Sequence, residues 1–185
     1  MDDQALVERC RAGDMAAFEA LVNKYQASLL SVTWSMLGNK EDARDATQEA
    51  FLSAFAHLDG FISGRSFKTW LFAIAWKRCL DMKRRQRTAR TYARRLGRPP
   101  DPAPAPAAGI DPPGPVPLED SETFGRALRM LGPKERLALC LKMNEGYTAG
   151  EIAEVLGCAE SSARVYVFNA IRRLRDLWNK GNGHV

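Results

Sequence analysis

The fold of this chain is decided most clearly between residues 39 and 58, which read NKEDARDATQEAFLSAFAHL. Asn39 is a favourable helix cap, and Glu41 and Asp42 suit the positive end of the helix dipole, so the segment predicts a helix that begins here. Small and apolar residues then recur at helical spacing and predict a buried stripe. They are Ala43, Ala46, Ala50, Phe51, Ala54 and Leu58.

The opposite side of the same helix carries a polar and mostly acidic stripe, because the small residues occupy the core-facing side. Its members are Asp45, Gln48, Glu49 and Leu52. Such a stripe is either a solvated face or a surface on which a basic partner helix docks. The residues alone leave both interpretations open.

Two further helices are predicted on either side of this segment. The upstream helix begins after the capping residue Asp14 and ends at Gly38, and the downstream helix begins after Ser66. The residues expected to face inward are Phe18, Leu21, Val22, Tyr25, Leu29 and Trp34 on the first, and Trp70, Leu71, Ile74, Ala75 and Cys79 on the second. Strand patterns are absent from the sequence, which predicts an all-α fold.

The C-terminal part predicts a second set of helices. Phe124, Leu128 and Leu131 suit a short helix, and Pro133 suits the first position of the next. Thr148 and Glu151 form a capping box, and Gly157 turns the chain into a last helix from about Ser161 to Trp178. Its expected inward residues are Ala163, Val167, Ala170, Ile171, Leu174 and Trp178. This pattern is either a DNA-binding helix-turn-helix or an αα-hairpin of a bundle.

A proline-rich segment separates these two parts. Nine of the ten prolines lie between Pro99 and Pro117, a composition typical of an extended linker. The sequence therefore predicts two small helical domains, at residues 1–96 and 118–181, joined by a linker at residues 97–117.

The charges are distributed unevenly. Residues 1–60 carry 5 basic and 10 acidic side chains, whereas residues 61–98 carry 12 basic side chains and a single acid, Asp81. The basic block is either a solvated helical face or a nucleic-acid surface. Its aromatic residues favour single-stranded nucleic acid, on whose bases they would stack. They are Phe61, Phe67, Trp70, Phe72, Trp76 and Tyr92.

Several classes of protein are excluded by what the sequence lacks. The longest apolar run is too short to cross a membrane, and the acidic start lacks the features of a secretory signal, so we expect a cytoplasmic protein without membrane insertion. The four cysteines are dispersed and there are only two histidines, which predicts no metal site. Without a P-loop, a glycine-rich phosphate cradle or a nucleophile–histidine pattern, we expect neither a cofactor nor an enzyme.

Five motifs stand in order along the chain. They are Gly13-Asp14 with Ala17-Phe18, residues 42–51 (DARDATQEAF), residues 67–75 (FKTWLFAIA) followed by Asp81 and Lys83-Arg84-Arg85, residues 131–136 (LGPKER) and residues 146–157 (GYTAGEIAEVLG). In this order and at this spacing they resemble the motifs of bacterial sigma factors of the extracytoplasmic-function type. The resemblance covers nearly the whole chain except the linker and the extreme ends.

The resemblance implies a subunit that binds core RNA polymerase, directs promoter recognition, DNA opening and transcription initiation, and is controlled by an anti-sigma factor. In polymerase it implies contacts with the β′ clamp helices, made by Asp45, Gln48, Glu49 and Leu52, and with the β flap. The linker would run towards the RNA exit path.

The same resemblance assigns the promoter contacts. For the −10-type element it implies Arg65, Ser66, Lys68, Trp70, Lys77, Arg78, Lys83, Arg84 and Arg85, with the loop from Phe61 to Ser66 holding a flipped base. For the −35-type element it implies Ser161, Ser162, Arg164, Val165, Tyr166 and Arg172.

The last helix departs from the family pattern. Tyr166 stands where the family usually has an arginine, and Val165 and Phe168 make the exposed side unusually apolar. These side chains could contact thymine methyl groups or a protein partner. The alternative function is a stand-alone helix-turn-helix regulator, which would need neither the acidic stripe nor the basic segment.

Overall fold

The computed structural model describes residues 2–96, 128 and 130–181 of the chain. The chain divides into two compact units between residues 110 and 111. All regular elements of the described residues are helical, as the sequence predicts. The proposed linker at residues 97–117, and Phe124 of the short helix, lie outside the described residues.

The described residues of unit 1 form four helices and one short 3-10 turn. They are α1 (Asp3–Arg11), α2 (Met15–Leu37), α3 (Lys40–Ala56), the turn Leu58–Gly60 and α4 (Phe67–Arg95). Helix α3 packs against both α2 and α4, and α1 packs against α2. The core of the unit therefore lies on the two sides of α3.

The helix boundaries of unit 1 follow the predicted caps. The Asp14 carboxylate accepts hydrogen bonds from the N–H groups of Ala16 and Ala17 at 3.0 and 3.3 Å. Asn39 caps α3 by accepting from the N–H groups of the first turn, and Gly38 before it adopts φ 72°, which favours glycine. The Ser66 hydroxyl caps α4. These predictions are confirmed because capping is a local property of the sequence.

The predicted small-residue stripe of α3 is confirmed. Ala43, Ala46, Ala50 and Ala54 are fully buried, which lets the backbone of α3 approach α2 and α4 closely. At the α2 contact the hydroxyls of Thr33 and Thr47 lie 2.9 Å apart, and the Thr47 hydroxyl also donates to the Ala43 carbonyl. The buried hydroxyls are thus satisfied within the core.

Helix α1 is an element that the sequence analysis did not predict. It has nine residues, and its Asp2 cap makes no side-chain hydrogen bond, so the local signal for its start is weak. Leu6, Val7 and Cys10 anchor it in the core. Burial raises the pKa of the Cys10 thiol, and burial also raises that of Cys79 to about 12, which indicates packing roles for both.

The described residues of unit 2 include α5 (Pro133–Asn144), α6 (Ala149–Leu156) and α7 (Glu160–Gly181). Pro133 occupies the first position of α5, and Thr148 and Glu151 form the predicted capping box of α6. Gly157 turns the chain with φ 62°. Helix α7 packs against both α5 and α6.

One predicted core residue of unit 2 is wrong. Ile171 is 40% exposed, whereas Ala163 and Ala170 are fully buried and Val167 and Leu174 are half-buried. Helix α7 touches its partners along a narrow stripe with spacings of four and three residues, and Ile171 lies about 100° around the helix from Ala170. The side chain of Trp178, also predicted inward, lies outside the described part.

Candidate protein and nucleic-acid interfaces

The acidic stripe of α3 is an exposed surface. Its members, Asp45, Gln48, Glu49 and Leu52, are all exposed, and Leu52 has 61% of its surface accessible. Among the described residues none of the three polar side chains forms an ion pair or a side-chain hydrogen bond. The structure thus leaves this face free for a partner.

An apolar area continues the same face, which the sequence analysis missed. Phe55, three residues after Leu52, is 41% exposed, and its ring meets that of Phe18 edge-on at 4.8 Å. Met15 at the start of α2 is 60% exposed. Residues 48, 52 and 55 are spaced by four and three positions and therefore share one helix face, so this apolar extension could have been predicted from the sequence. Acidic and apolar groups together suit a protein partner better than solvent alone.

The predicted −10-type residues divide between different faces of α4. Trp70, Lys77 and Arg84 are spaced by seven residues and share one outward face. Arg78 and Arg85 lie beside that face. Lys68 and Lys83 lie on the other side of the helix and are half-buried. The ammonium group of Lys68 lies 5.9 Å from the centre of the Phe72 ring.

Most aromatic residues of the basic segment are core residues, which corrects the interpretation that they stack on bases. Phe61, Phe67, Phe72 and Trp76 are at most 5% exposed. The Phe61 ring lies 5.8 Å from that of Phe67 and 5.1 Å from that of Trp70. Only the half-buried Trp70 and the exposed Tyr92 retain accessible rings. Composition alone could not separate them, because cations and aromatics alternate on different faces of one helix.

Side chains of α1 hold the backbone of the loop between Phe61 and Ser66 in place. The guanidinium of Arg11 donates to the Leu58 carbonyl at 2.9 and 3.1 Å, to the Asp59 carbonyl at 3.4 Å and also to the Phe61 carbonyl. It reaches the Ser63 hydroxyl at 3.3 Å. These contacts span about fifty residues of sequence, so no local pattern could have identified Arg11.

A second residue of α1 reaches the tip of this loop. The Gln4 side-chain oxygen accepts a hydrogen bond from the Gly64 N–H at 3.2 Å, and Gly64 adopts φ 84°. The turn therefore needs glycine there. With its backbone fixed from α1, the loop leaves Ile62 and Arg65 exposed, Ile62 at 60%. The loop can thus present side chains outward from a rigid base.

The helix-turn-helix of unit 2 presents a mixed surface. Ser161, Arg164 and Arg172 are exposed, and Ser162 is half-buried. Val165 is 53% and Phe168 is 64% exposed, and the exposed Ile171 continues the line. Helix α7 begins at Glu160, so Ser161 lies within its first turn and is not its cap.

Several polar residues of α7 are engaged within unit 2. Arg164 pairs with Glu160 at 2.5 Å, although both side chains remain exposed. Tyr166 is half-buried, and the Lys134 ammonium group lies 5.7 Å from the centre of its ring. Arg173 pairs at 2.8 Å with Glu135, which also accepts from the Gly132 N–H at 3.1 Å. Arg172 and Arg175 are exposed cations of this helix without such a partner among the described residues.

Two family models match this chain. Residues 21–89 match Sigma-70 region 2, and residues 121–174 match Sigma-70, region 4. In the described part no helix is both long and apolar enough to cross a membrane, and no group of three potential metal ligands occurs.

Several curated proteins are similar over nearly the full length. The RNA polymerase sigma-H factor of Pseudomonas aeruginosa is 31% identical, with 91% of this chain and 89% of the relative covered. The ECF RNA polymerase sigma-E factor of Escherichia coli (strain K12) is 30% identical, with 92% and 91% covered. The SigW factor of Bacillus subtilis (strain 168) is 29% identical, with 92% and 96% covered.

Solved structures show the same fold. The sigma factor RpoE from Bartonella quintana, in complex with the anti-sigma factor NepR, gives a TM-score of 0.70 at 25% identity and covers 88% of this chain and 96% of its own. CnrH, in complex with the cytosolic domain of CnrY, gives a TM-score of 0.70 at 24% identity and covers 96% and 97%.

Such proteins are the initiation factors that give bacterial RNA polymerase its choice of promoter. The chain belongs to the sigma-70 family, within its extracytoplasmic-function group. It is therefore a sigma factor, which binds core RNA polymerase and directs promoter recognition, DNA opening and transcription initiation.

Proposed function

We propose that unit 1 docks on the β′ clamp helices of polymerase through Asp45, Gln48, Glu49 and Leu52. The observation that carries this proposal is the two-sided character of α3. Its alanine stripe is fully buried, and its acidic stripe is exposed and without partners among the described residues. The apolar end at Leu52 and Phe55 supplies area that is buried on binding, while the carboxylates set orientation and encounter rate.

The outward face of α4 and the loop above α1 engage the −10-type element. Trp70, Lys77 and Arg84 line this face, and Arg78 and Arg85 flank it. The loop from Phe61 to Ser66 holds a flipped base, and its exposed side chains are those of Ile62, Ser63, Arg65 and Ser66. Opening a duplex costs a few kcal/mol, and each captured base returns about 1–3 kcal/mol by stacking. Lys68 and Lys83 contribute less, because they lie on the other side of the helix.

Unit 2 reads the −35-type element through the start of α7. Ser161, Arg164, Val165 and Phe168 form its exposed side, and Arg172 meets the phosphate backbone. Tyr166 has a supporting role, because it is half-buried beside Lys134. In this division residues 1–96 bind polymerase and the −10-type element, residues 118–181 bind the −35-type element, and residues 97–117 link them towards the RNA exit path.

Control by an anti-sigma factor completes the proposal. Its support is the solved complex of the similar sigma factor RpoE with the anti-sigma factor NepR. Because the target of a sigma factor is core polymerase on chromosomal DNA, we place its action in the cytoplasm. The chain positions DNA, and polymerase catalyses nucleotidyl transfer.

The test combines the protein with core polymerase and promoter fragments and measures strand opening. We expect opening only when both proteins are present. Duplex binding that is equally tight without core, and without opening, would instead identify a stand-alone helix-turn-helix regulator.

A charge reversal tests the docking surface itself. Glu49→Lys should weaken core binding at least tenfold, or about 1.4 kcal/mol, because it places like charges opposite each other. The control is Glu19→Lys, which changes an exposed residue of α2. Thermal unfolding should be the same for both variants, and an unchanged core affinity of Glu49→Lys would refute the docking assignment.

A further inference from the structure

The C-terminal end of α4 extends beyond the helical bundle. The last side-chain hydrogen bond from α4 to another described element joins the Gln86 amide to the Asp42 carboxylate at 2.9 Å. From residue 87 to residue 95 every side chain is exposed except the half-buried Ala93. The hydroxyls of Thr88 and Thr91 bond only to carbonyls of the preceding turn. We name residues 87–95 the arginine arm.

The arm carries a high density of unpaired positive charge. Arg87, Arg90, Arg94 and Arg95 are exposed, and none of them forms an ion pair or a side-chain hydrogen bond with any described residue. No acidic residue occurs in the sequence between Asp81 and Asp101. The arm therefore lacks the alternating charges that support an isolated surface helix.

These charges oppose helix formation unless a ligand neutralises them. Arg87, Arg90 and Arg94 are spaced by three and four residues, so their side chains lie on one face and repel each other. On that same face Trp76 packs in the core further back along the helix. The face changes from apolar to cationic where it leaves the bundle. A polyanion would offset this repulsion and stabilise the arm.

The geometry of the arm favours double-stranded DNA. Arg94 and Arg95 are consecutive, so their side chains leave the helix about 100° apart. Cations on two such faces fit a groove whose two walls are phosphate backbones. A single strand would require several accessible aromatic rings, whereas Tyr92 is the exposed ring of this segment.

We propose that the arginine arm binds the phosphate backbone of duplex DNA adjoining the −10-type element, independently of base sequence. This inference rests on the proposed function, because it takes the Lys77–Arg84 face of the same helix as the site of that element. From Lys77 to Arg94 the helix is about 26 Å long, which corresponds to roughly seven or eight base pairs at about 3.4 Å each. The arm thus reaches duplex that lies outside the opened segment.

The test measures how salt affects binding of holoenzyme to a promoter fragment that the wild-type holoenzyme opens. The double variant R90Q/R94Q keeps good helix formers but removes two charges. If both contact phosphates, the slope of log affinity against log salt should become shallower by about 1.8, roughly 0.9 for each contact. The variant R90K/R94K keeps the charge and should retain the slope.

The matched control R9Q/K24Q removes two charges elsewhere in unit 1. Arg9 and Lys24 form exposed pairs with Asp14 and Asp3, so their loss should leave the slope unchanged. An unchanged slope for R90Q/R94Q overturns the inference alone. Weaker core binding with an unchanged slope overturns it in favour of an acidic polymerase surface. A wild-type holoenzyme that opens no promoter fragment overturns the proposed function itself.

Discussion

The two units differ in the charge and pairing of the side chains that we propose to face DNA. In unit 1 the cations Lys77 and Arg84 are exposed and have no charged partner among the described residues. In unit 2 Arg164 and Arg173 are each paired with a carboxylate. Val165, Phe168 and Ile171 are exposed on α7 beside Arg172, which forms no ion pair within the described part of the chain. We therefore expect charge to contribute more to the DNA contacts of unit 1, and apolar contacts to contribute more to those of unit 2. Salt should weaken the DNA contacts of unit 1 more than those of unit 2.

The units also differ in how their binding elements are held in place. The loop between Phe61 and Ser66 of unit 1 depends on Arg11, from a helix about fifty residues away in sequence, whereas α6 of unit 2 is fixed by its own capping box. Long-range support makes unit 1 sensitive to changes far from its DNA-facing surface.

Arg11→Ala should have the largest effect, because it removes one guanidinium that binds the carbonyls of Leu58, Asp59 and Phe61. We expect a loss of roughly 1.5–3 kcal/mol in the free energy of unfolding, and a larger relative loss of promoter opening. Denaturant titration and an opening assay with a fluorescent base in the captured strand measure the two effects. Arg9→Ala is the control, since its exposed pair contributes about 0–1 kcal/mol. Equal stability of the two variants would contradict the role of Arg11.

Phe168→Ala tests the apolar character of unit 2. It should weaken binding of holoenzyme to promoter duplex by about 1–2 kcal/mol, part of what burial of a phenyl ring contributes, without altering the salt slope. Arg84→Gln in unit 1 should instead reduce that slope by about 0.9. The reverse pattern, with a changed slope for Phe168→Ala, would contradict the expectation that unit 2 binds DNA mainly through apolar contacts. Because Phe168 is 64% exposed, its truncation should leave thermal unfolding unchanged.

Glu135→Gln tests whether the ion pair with Glu135 keeps Arg173 from contacting DNA. The Glu135 carboxylate accepts hydrogen bonds from Arg173 and from the Gly132 N–H. Its neutralisation should cost about 0.5–1.5 kcal/mol in stability. The released Arg173 should steepen the salt slope by up to roughly 0.9. The control is Glu154→Gln, an exposed residue of α6. A shallower slope would show that Arg173 does not turn to DNA.

Glu160→Gln should have the smallest effect. It breaks the exposed pair with Arg164 on the same helix, worth about 0.2–0.5 kcal/mol. Thermal unfolding of the variant should therefore lie close to that of the wild type. A loss above about 1 kcal/mol would mean that this pair also supports the start of α7 through the helix dipole.

Features that depend on neighbouring residues in the chain could be predicted from the sequence. The caps at Asp14, Asn39, Ser66 and Thr148 stand as predicted, because each bonds to backbone groups within the next turn. The buried alanine stripe of α3 follows from spacing alone, since residues three and four apart share a helix face. The exposed position of the acidic stripe could be predicted because the small residues occupy the core-facing side of the same helix.

Features that depend on contacts between distant residues could not be predicted from the sequence, because they require the positions of the other helices. The aromatic rings of the basic segment turn inward because they complete the core around Phe67, and Ile171 turns outward because α7 contacts its partners along a narrow stripe. The link from Arg11 to the loop, and the point at which α4 leaves the bundle after Gln86, depend on where other helices end. Periodicity fixes which residues share a face, whereas the extent of the partner surface decides which part of that face is buried.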